Sequence, residues 1–464
     1  MKNQVLEAYV GLQWGDEGKG KEVDEAVDRS KNNNKKTIVV RYQGGTNAGH
    51  TTYVKDKNNN IVKFVTHAAP SGLASNVDIA IGPDVAFNPV AFMDEVNQAR
   101  KSFNYNGRIM ISERTPILFD YHKKLDAWLE TLSTKKIGTT MSGIGPLYMD
   151  KDRRSTRITF EQYISDKFPD RLRDVLNLKA RELSALKSNK YLDEVIDEIL
   201  AVHNPVRKEL REMKVKEILE YRLADYQKEG NNIIIEGSQG TYLDVDMGTI
   251  PDTTSSHLLA PYAFPSLGLD RRDFKIIGVE KLYPTRVGNG VMPTLDEKDG
   301  FGKTVAEIGG EKGATTGRAR RAGYPDWVLI KRAVTLNSCD GIIITRADVA
   351  QNLLVRPCVY YEYDGTKNQE VPLDISKVKP IYLGEISVQD GSFYWTLWKD
   401  NIDLSDPEKV HDVLKDKREF YVKNGFDSLP DGLKKYIKLH DDCVGCKTIG
   451  VSIGPGRGET VRIN

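Results

Sequence analysis

Residues 15 to 21 read G-D-E-G-K-G-K, set between an apolar run, L-E-A-Y-V at 6–10, and a segment of helical spacing, K-E-V-D-E-A-V-D-R-S at 21–30. A strand, a glycine loop and a helix in that order constrain the fold more than any other stretch. Glycines at 15, 18 and 20 let backbone N–H groups approach an anion closely, and the helix N-terminus points at the same place. Lys19 and Lys21 add positive charge. The spacing is that of a phosphate loop, G-x-x-x-x-G-K, but such a loop continues with a Ser or Thr that holds magnesium. Here that position is Glu22, and an acid, Asp16, lies inside the loop. A tight strand-to-helix turn is the competing reading.

Further β-rich runs, K-K-T-I-V-V-R-Y at 35–42, N-N-I-I-I-E-G at 231–237 and D-G-I-I-I-T-R at 340–346, each lead straight into a polar segment. An open α/β sheet presents site loops in this way at its strand ends. The expected fold is α/β, a large, mostly parallel central sheet with flanking helices. Between about 160 and 229, apolar residues at helical spacing alternate with Lys and Glu. That pattern predicts a helical insertion of amphipathic helices, broken near Pro205, with a solvated outer face. The motifs must serve one site, so residues 1–464 are expected to form a single domain with this helical subregion.

The net charge of +1 in 464 residues argues against nucleic acid or an anionic membrane as partner. No apolar run has the length of a signal sequence or a membrane span, and four cysteines make no disulfide framework. A soluble, reducing, cytoplasmic setting is expected, or a host cytoplasm if the source is viral. Cys443 and Cys446, with His440 upstream, give a single C-x-x-C, a weak zinc signal that ordinary turn thiols explain.

Six segments place reactive side chains on candidate site loops. After the glycine loop comes R-Y-Q-G-G-T-N-A-G-H-T-T at 41–52, where His50 sits among small residues and is expected on a loop. The run at 137–154 combines hydroxyls, glycines and the pair Arg153-Arg154, and suits either a phosphate or a surface turn. In E-G-S-Q-G-T-Y-L-D, Gln239 follows a buried strand, and its amide both donates and accepts, as a base edge does. A glutamine that only braces its own loop is an equal reading. G-A-T-T-G-R-A-R-R at 313–321 offers arginines suited to carboxylates. T-R-A-D at 345–348 ends in a carboxylate that can accept from both the ring N–H and the exocyclic amine of guanine.

Taken in order, these segments resemble the adenylosuccinate synthetases, GTP-dependent ligases that join L-aspartate to the 6-position of IMP. The resemblance runs from Gln13 to Arg457 through Q-W-G-D-E-G-K-G-K, Q-G-G-T-N-A-G-H-T, P-S-G-L, G-I-G-P-x-Y-x-D-K, E-G-x-Q-G-T-x-L-D, T-R-V-G-x-G, G-A-T-T-G-R-x-R-R and S-I-G-P-G-R. It implies a purine biosynthetic enzyme that uses Mg2+ and GTP and works as a homodimer. Asp16 is implied as general base and, with the Gly49 carbonyl, as magnesium ligand. His50 is implied as acid or charge partner, with Lys19 and Gln239 completing the catalytic set. GTP is implied to meet Gly15, Glu17, Gly18, Lys19, Gly20, Lys21, Gly49, His50, Thr51, Arg320, Arg346, Asp348, Ser452 and Gly454. The purine monophosphate is implied to meet Asp16, Asn47, Thr140, Gln239, Thr254 and Arg318, with Arg153 or Arg154 reaching its phosphate from the neighbouring subunit. L-Aspartate is implied to meet Thr315, Thr316, Arg318 and Arg320.

The chain also departs from the family pattern. Arg346 replaces the lysine of T-K-x-D, Ser142 replaces an arginine, Pro251-Asp252 replaces a Pro-aromatic pair, and T-S-S-H-L-L-A-P replaces T-S-S-N-T-T-A-G-G. This drift on the substrate side leaves a second acceptor open: dGMP, as in viral relatives that make the 2-aminoadenine precursor, with Asp252 near the 2-amino group. IMP is the favoured acceptor, because those relatives often lose the loop aspartate and the guanine-reading carboxylate. A non-catalytic GTP switch would explain T-R-A-D and the glycine loop, but neither G-A-T-T-G-R-A-R-R nor Gln239.

Overall fold

The runs Ile38–Val40, Ile233–Ile235 and Ile342–Ile344 are entirely buried. Strands covered on both faces carry such unbroken apolar stretches, and parallel sheets between helices require them. The computed structural model describes residues 4–134, 138–184, 192–288, 290–296, 300–311, 320–349, 353–383, 394–395 and 418–463. The fold is α/β, with a large, mostly parallel sheet and flanking helices, as the sequence predicts. Two compact units divide the chain: Met1–Ala8, Glu22–Ser238 and Thr254–Phe274 form the first, and Tyr9–Lys21, Gln239–Thr253 and Lys275–Asn464 the second.

In the first unit the strands run in the order Asn232–Glu236, Thr37–Gly45, Asp78–Ala86, Ile109–Ser112 and Lys216–Glu217, every neighbour parallel. In the second, Lys275–Lys281, Gly341–Thr345 and Thr448–Ser452 are parallel, and Thr460–Arg462 closes the edge antiparallel. Strand Leu6–Gly11 has residues in both units. Flanking it, Ile233 N donates to Val5 O at 2.9 Å in the first unit, and Leu12 N donates to Val279 O at 3.0 Å in the second. An aromatic core of Phe87, Phe92, Phe119, Phe160, Tyr163 and Phe168 fills the first unit. Trp14, Tyr242, Trp327 and Tyr436 anchor the second.

The helical subregion comprises Phe160–Ile164, Phe168–Leu178, Ala180–Ser184, Leu192–Glu212 and Leu219–Lys228. The expected break at Pro205 is absent, for Leu192–Glu212 runs through it. Proline removes one N–H and crowds the carbonyl four residues back. Side-chain anchors on both sides of it hold the helix together. His203 Nδ1 lies 2.9 Å from the Tyr163 hydroxyl, and burial pushes its pKa down to about 4. Arg207 donates to the carbonyls of Tyr163 at 2.6 Å and Ser165 at 2.7 Å, over the Phe168 ring. Tertiary packing outweighs the local preference here.

His440, on helix Asp431–Val444, is fully buried, with Nε2 3.1 Å from Glu280 Oε1. Burial alone would lower its pKa, but Glu280 and Asp441 hold it up at about 9. The imidazole thus serves an ion pair with Glu280, while the Cys446 thiol faces the Cys339 carbonyl at 3.8 Å. No helix among the described residues is long and apolar enough to cross a membrane.

Pro205→Ala restores a helical N–H at an exposed position. Helix propensity favours alanine by ~3 kcal/mol, and the looser unfolded chain offsets ~0.4–1 kcal/mol of that. The urea midpoint of the variant is expected to rise; an unchanged or lower midpoint would show that the anchored helix bears no proline strain.

Candidate active site

In the second unit, the loop between strand Leu6–Gly11 and helix Lys19–Ser30 takes an unusual path, with Gly15, Asp16 and Gly18 all at positive φ, at 94°, 63° and 91°. Glu17 fixes it. Its side chain is fully buried and accepts from Gln13 N at 3.1 Å, Gly15 N at 2.8 Å and Lys19 Nζ at 2.6 Å. A side chain on Gly11 or Gly240 would occupy the space of that carboxylate. Both acids predicted in the loop are therefore present, but they face different ways. Glu17 braces the loop from inside, and Lys19, also buried, is its counter-ion. The Asp16 side chain is 31% exposed, with Oδ2 2.6 Å from Arg320 Nη2.

Two further contacts tie the loop to distant segments. Thr345, which opens T-R-A-D, donates to the Glu17 carbonyl at 2.6 Å. Lys21 donates to Ser452 Oγ at 2.7 Å and Thr460 Oγ1 at 2.6 Å. Ser452 Oγ in turn donates to the Gly454 carbonyl at 3.1 Å. Asp348 lies on the turn beyond strand Gly341–Thr345, with Oδ2 3.4 Å from Arg418 Nη2. Arg346, on the same turn, reaches the Gly309 carbonyl, the Tyr283 hydroxyl and Glu311.

Gln239 sits after strand Asn232–Glu236 at φ 52°, packed where Gly15 lies against its Cα. Both its amide atoms are buried with no hydrogen-bond partner among the described residues. Leaving such groups unmet costs ~1–3 kcal/mol each, so a loop that only braced itself would use them.

In the first unit, Glu236 organises the second set. It is fully buried, with Oε1 2.5 Å from His50 Nδ1 and Oε2 accepting from Ser71 N at 2.8 Å. Burial alone would raise its pKa, but His50 and Ser71 hold it below the usual carboxylate range. His50 was expected on a loop; it is instead the first residue of strand His50–Lys55, paired with Thr66, with Thr51 following in the same strand. The β-ladder fixes its backbone and Glu236 fixes its ring. Gly49 immediately precedes that strand. Asn47 Nδ2 donates to Thr254 Oγ1 at 3.4 Å, while Asn47 Oδ1 is buried without a partner among the described residues.

Thr140 is exposed, ahead of helix Ile144–Asp152. At the end of that helix, Arg153 pairs with Glu182 at 2.8 Å, and Arg154 is exposed at φ 61°. Asp150 anchors this helix through His122 at 3.0 Å and Lys179 at 2.6 Å, all three buried. Thr315, Thr316 and Arg318 lie outside the described residues. Glu236, Glu311, Lys281 and Arg418 were not singled out from sequence, because each acts through partners far away in the chain.

The carboxylate oxygens of Asp16 are the donor type that suits a hard cation such as Mg2+. The partly exposed Asp16 carboxylate on a glycine loop, flanked by fixed cations, fits the binding of a metal with phosphate.

A sequence profile of the adenylosuccinate synthetase family matches residues 8–386. The chain is 36% identical over 475 residues to the adenylosuccinate synthetase of Geotalea daltonii, covering 100% of this chain and 99% of that one. It is 33% identical over 464 residues to that of Clostridioides difficile, covering 98% and 97%. The structure of fully ligated adenylosuccinate synthetase from Plasmodium falciparum matches with a TM-score of 0.81 at 26% identity, over 99% of this chain and 100% of that chain. The succinoaminodeoxyadenylate synthetase of cyanophage S-2L, solved with dGMP and with dATP as energy donor, shares the fold with a TM-score of 0.57 at 15% identity, over 99% and 95%. A family match across most of the chain, joined to a curated likeness over its whole length, makes this protein a member of the adenylosuccinate synthetase family and an enzyme of that ligase type.

Proposed function

We propose that the enzyme joins L-aspartate to C6 of IMP, with GTP as phosphoryl donor. Oxide is a poor leaving group from the 6-oxo position, so the oxygen must first be phosphorylated. Asp16 takes the ring N1 proton, and O6 then attacks the γ-phosphorus of GTP while GDP leaves. The aspartate amine adds to C6, inorganic phosphate departs, and the amine loses a proton. His50, its ring held by Glu236, donates to or balances charge on the transferring phosphoryl group. Base and acid roles of this kind contribute ~10²–10⁴-fold each. Bound through Asp16 and the Gly49 carbonyl, Mg2+ would neutralise phosphate oxygens.

The observation that carries this reading is the buried, unpartnered Gln239 amide, packed against the loop that bears Asp16. It matches a purine edge that donates and accepts at once. Asn47, Thr140 and Thr254 complete the purine monophosphate set. Arg320, with Thr315, Thr316 and Arg318, takes L-aspartate. The glycine loop, Lys19, Lys21, Thr51, Arg346, Asp348, Ser452 and Gly454 serve GTP. We assign the phosphate contact across a homodimer to Arg154, which is exposed and makes no ion pair among the described residues, whereas Arg153 pairs with Glu182. The dGMP reading rests on the altered segment around Asp252, whose half-buried residue accepts from Arg286 Nη2 through its carbonyl at 2.8 Å.

With IMP, dIMP, GMP and dGMP tested against GTP, dGTP and ATP in the presence of L-aspartate, turnover is expected with IMP and GTP. Efficient use of dGMP with negligible IMP turnover would reassign the acceptor, and aspartate-independent GTP hydrolysis would point to a switch. Asp16→Ala should lower kcat by ~10³-fold or more, the upper range for a base, while calorimetry finds IMP binding near wild type. Substantial residual turnover would remove Asp16 from that role. Gln239→Ala should raise the KM for IMP at least tenfold, following the loss of a paired amide of ~1.4 kcal/mol or more, and an unchanged KM would return Gln239 to a loop brace.

A further inference from the structure

Glu311 follows helix Phe301–Ile308, with its N–H bonded to the Ala306 carbonyl at 2.9 Å, and its side chain is only 3% exposed. Oε2 lies 2.7 Å from Lys281 Nζ and 3.4 Å from Arg320 Nη1. Oε1 accepts from the Tyr283 hydroxyl at 2.8 Å and lies 3.4 Å from Arg346 Nη2. The Glu311 carbonyl also accepts from Arg320 N at 3.1 Å. One buried carboxylate therefore faces three cations and a phenol. Arg320 then spans from Glu311 through one fork nitrogen to Asp16 through the other. A guanidinium held from two sides by carboxylates has its plane fixed.

Arg346 sits where the family pattern has lysine. Its guanidinium makes three separate contacts, from Nε to the Tyr283 hydroxyl at 3.3 Å and from Nη2 to the Gly309 carbonyl and Glu311. An ammonium is a single point charge and lacks the fork that spans these partners. In this chain the turn that carries Asp348 is thereby joined to the arginine assigned to L-aspartate.

We infer that Glu311 is a positioning residue for the ligase reaction, holding Arg320 and Arg346 to one carboxylate so that recognition of aspartate is linked to recognition of GTP. The inference rests on the roles proposed above for Arg320 and Asp348. Glu311 touches no substrate; it acts through the two arginines. A carboxylate that only stabilised the fold would lower stability without separating one KM from another.

The test is steady-state kinetics on the full-length enzyme, varying each substrate in turn, for wild type, Glu311→Gln, Arg346→Lys and the double variant. Glu311→Gln is expected to raise the KM for aspartate tenfold or more and that for GTP severalfold, with the purine monophosphate KM within twofold. Arg346→Lys is expected to raise the aspartate KM severalfold, although position 346 belongs to the guanine-side turn. Residues that act through one contact are non-additive, so the double variant should be little worse than Glu311→Gln alone. An aspartate KM within twofold of wild type in Arg346→Lys, or simple multiplication of the two effects, overturns the inference. Should Glu311→Gln fail to fold, Arg346→Lys decides alone, since its side chain is 28% exposed. Wild type turning over normally beside an unaltered variant sinks only this inference; an inactive wild type sinks the proposed function instead.

Discussion

The loop that carries Asp16 depends on the burial of its neighbour. Glu17 is fully enclosed, and a carboxylate removed from water without partners is costly by several kcal/mol. Two backbone N–H groups and the Lys19 ammonium meet that demand. To supply those N–H groups, the backbone must turn back on itself, hence the positive φ of Gly15, Asp16 and Gly18. Other segments are then positioned from the same carboxylate. Gly240, beside Gln239, has no room for a side chain because Glu17 fills the space, and Thr345 bonds the Glu17 carbonyl.

The same constraint separates three acids that look equivalent in sequence. Glu22 stands where a phosphate loop has its hydroxyl, yet it is fully buried in the first turn of helix Lys19–Ser30. Glu17 is fully buried as well. Asp16 alone of the three keeps a partly exposed carboxylate. A base must reach its proton and a metal ligand must reach its ion, so of the three only Asp16 has the exposure that the proposed roles require. On the proposed reading, the departure from the ordinary phosphate-loop pattern moves the oxygen ligand from the helix into the loop rather than deleting it.

The strand–loop–helix unit was legible because its signals are local: an apolar run, glycines at fixed spacing and a helical period lie within 25 residues of chain from Leu6 to Ser30. Strands Thr37–Gly45, Asn232–Glu236 and Gly341–Thr345 were legible for the same reason. Pro205 misled because its local cost is offset by His203 and Arg207, which reach a helix some 40 residues earlier, and no sequence period encodes that. His50 was read as a loop residue since its neighbours are small; strand pairing with Ile61–Thr66 overrides that composition. Glu236, 186 residues from His50, and Glu311, 30 residues from Lys281, are ordinary acids until the fold sets them beside these partners.

Burial also divides these carboxylates, in each unit, by residue type. Glu17, Glu236 and Glu311, each at most 3% exposed, hold Lys19, His50 and the Lys281–Arg320–Arg346 group. Asp16 and Asp348, 31% and 11% exposed, are the two whose proposed partners are ligands. A buried glutamate cannot exchange its partner for water, so the side chain it holds keeps its orientation whether or not substrate is bound. An aspartate nearer the solvent stays within reach of an arriving ion or base. Side chains fixed in advance lower the ordering that binding requires and, in the proposed reaction, can act on the developing transition state without reorganisation. The longer glutamate side chain suits the inner role because it reaches from strand or helix ends into the core, where its oxygens meet partners on several segments at once.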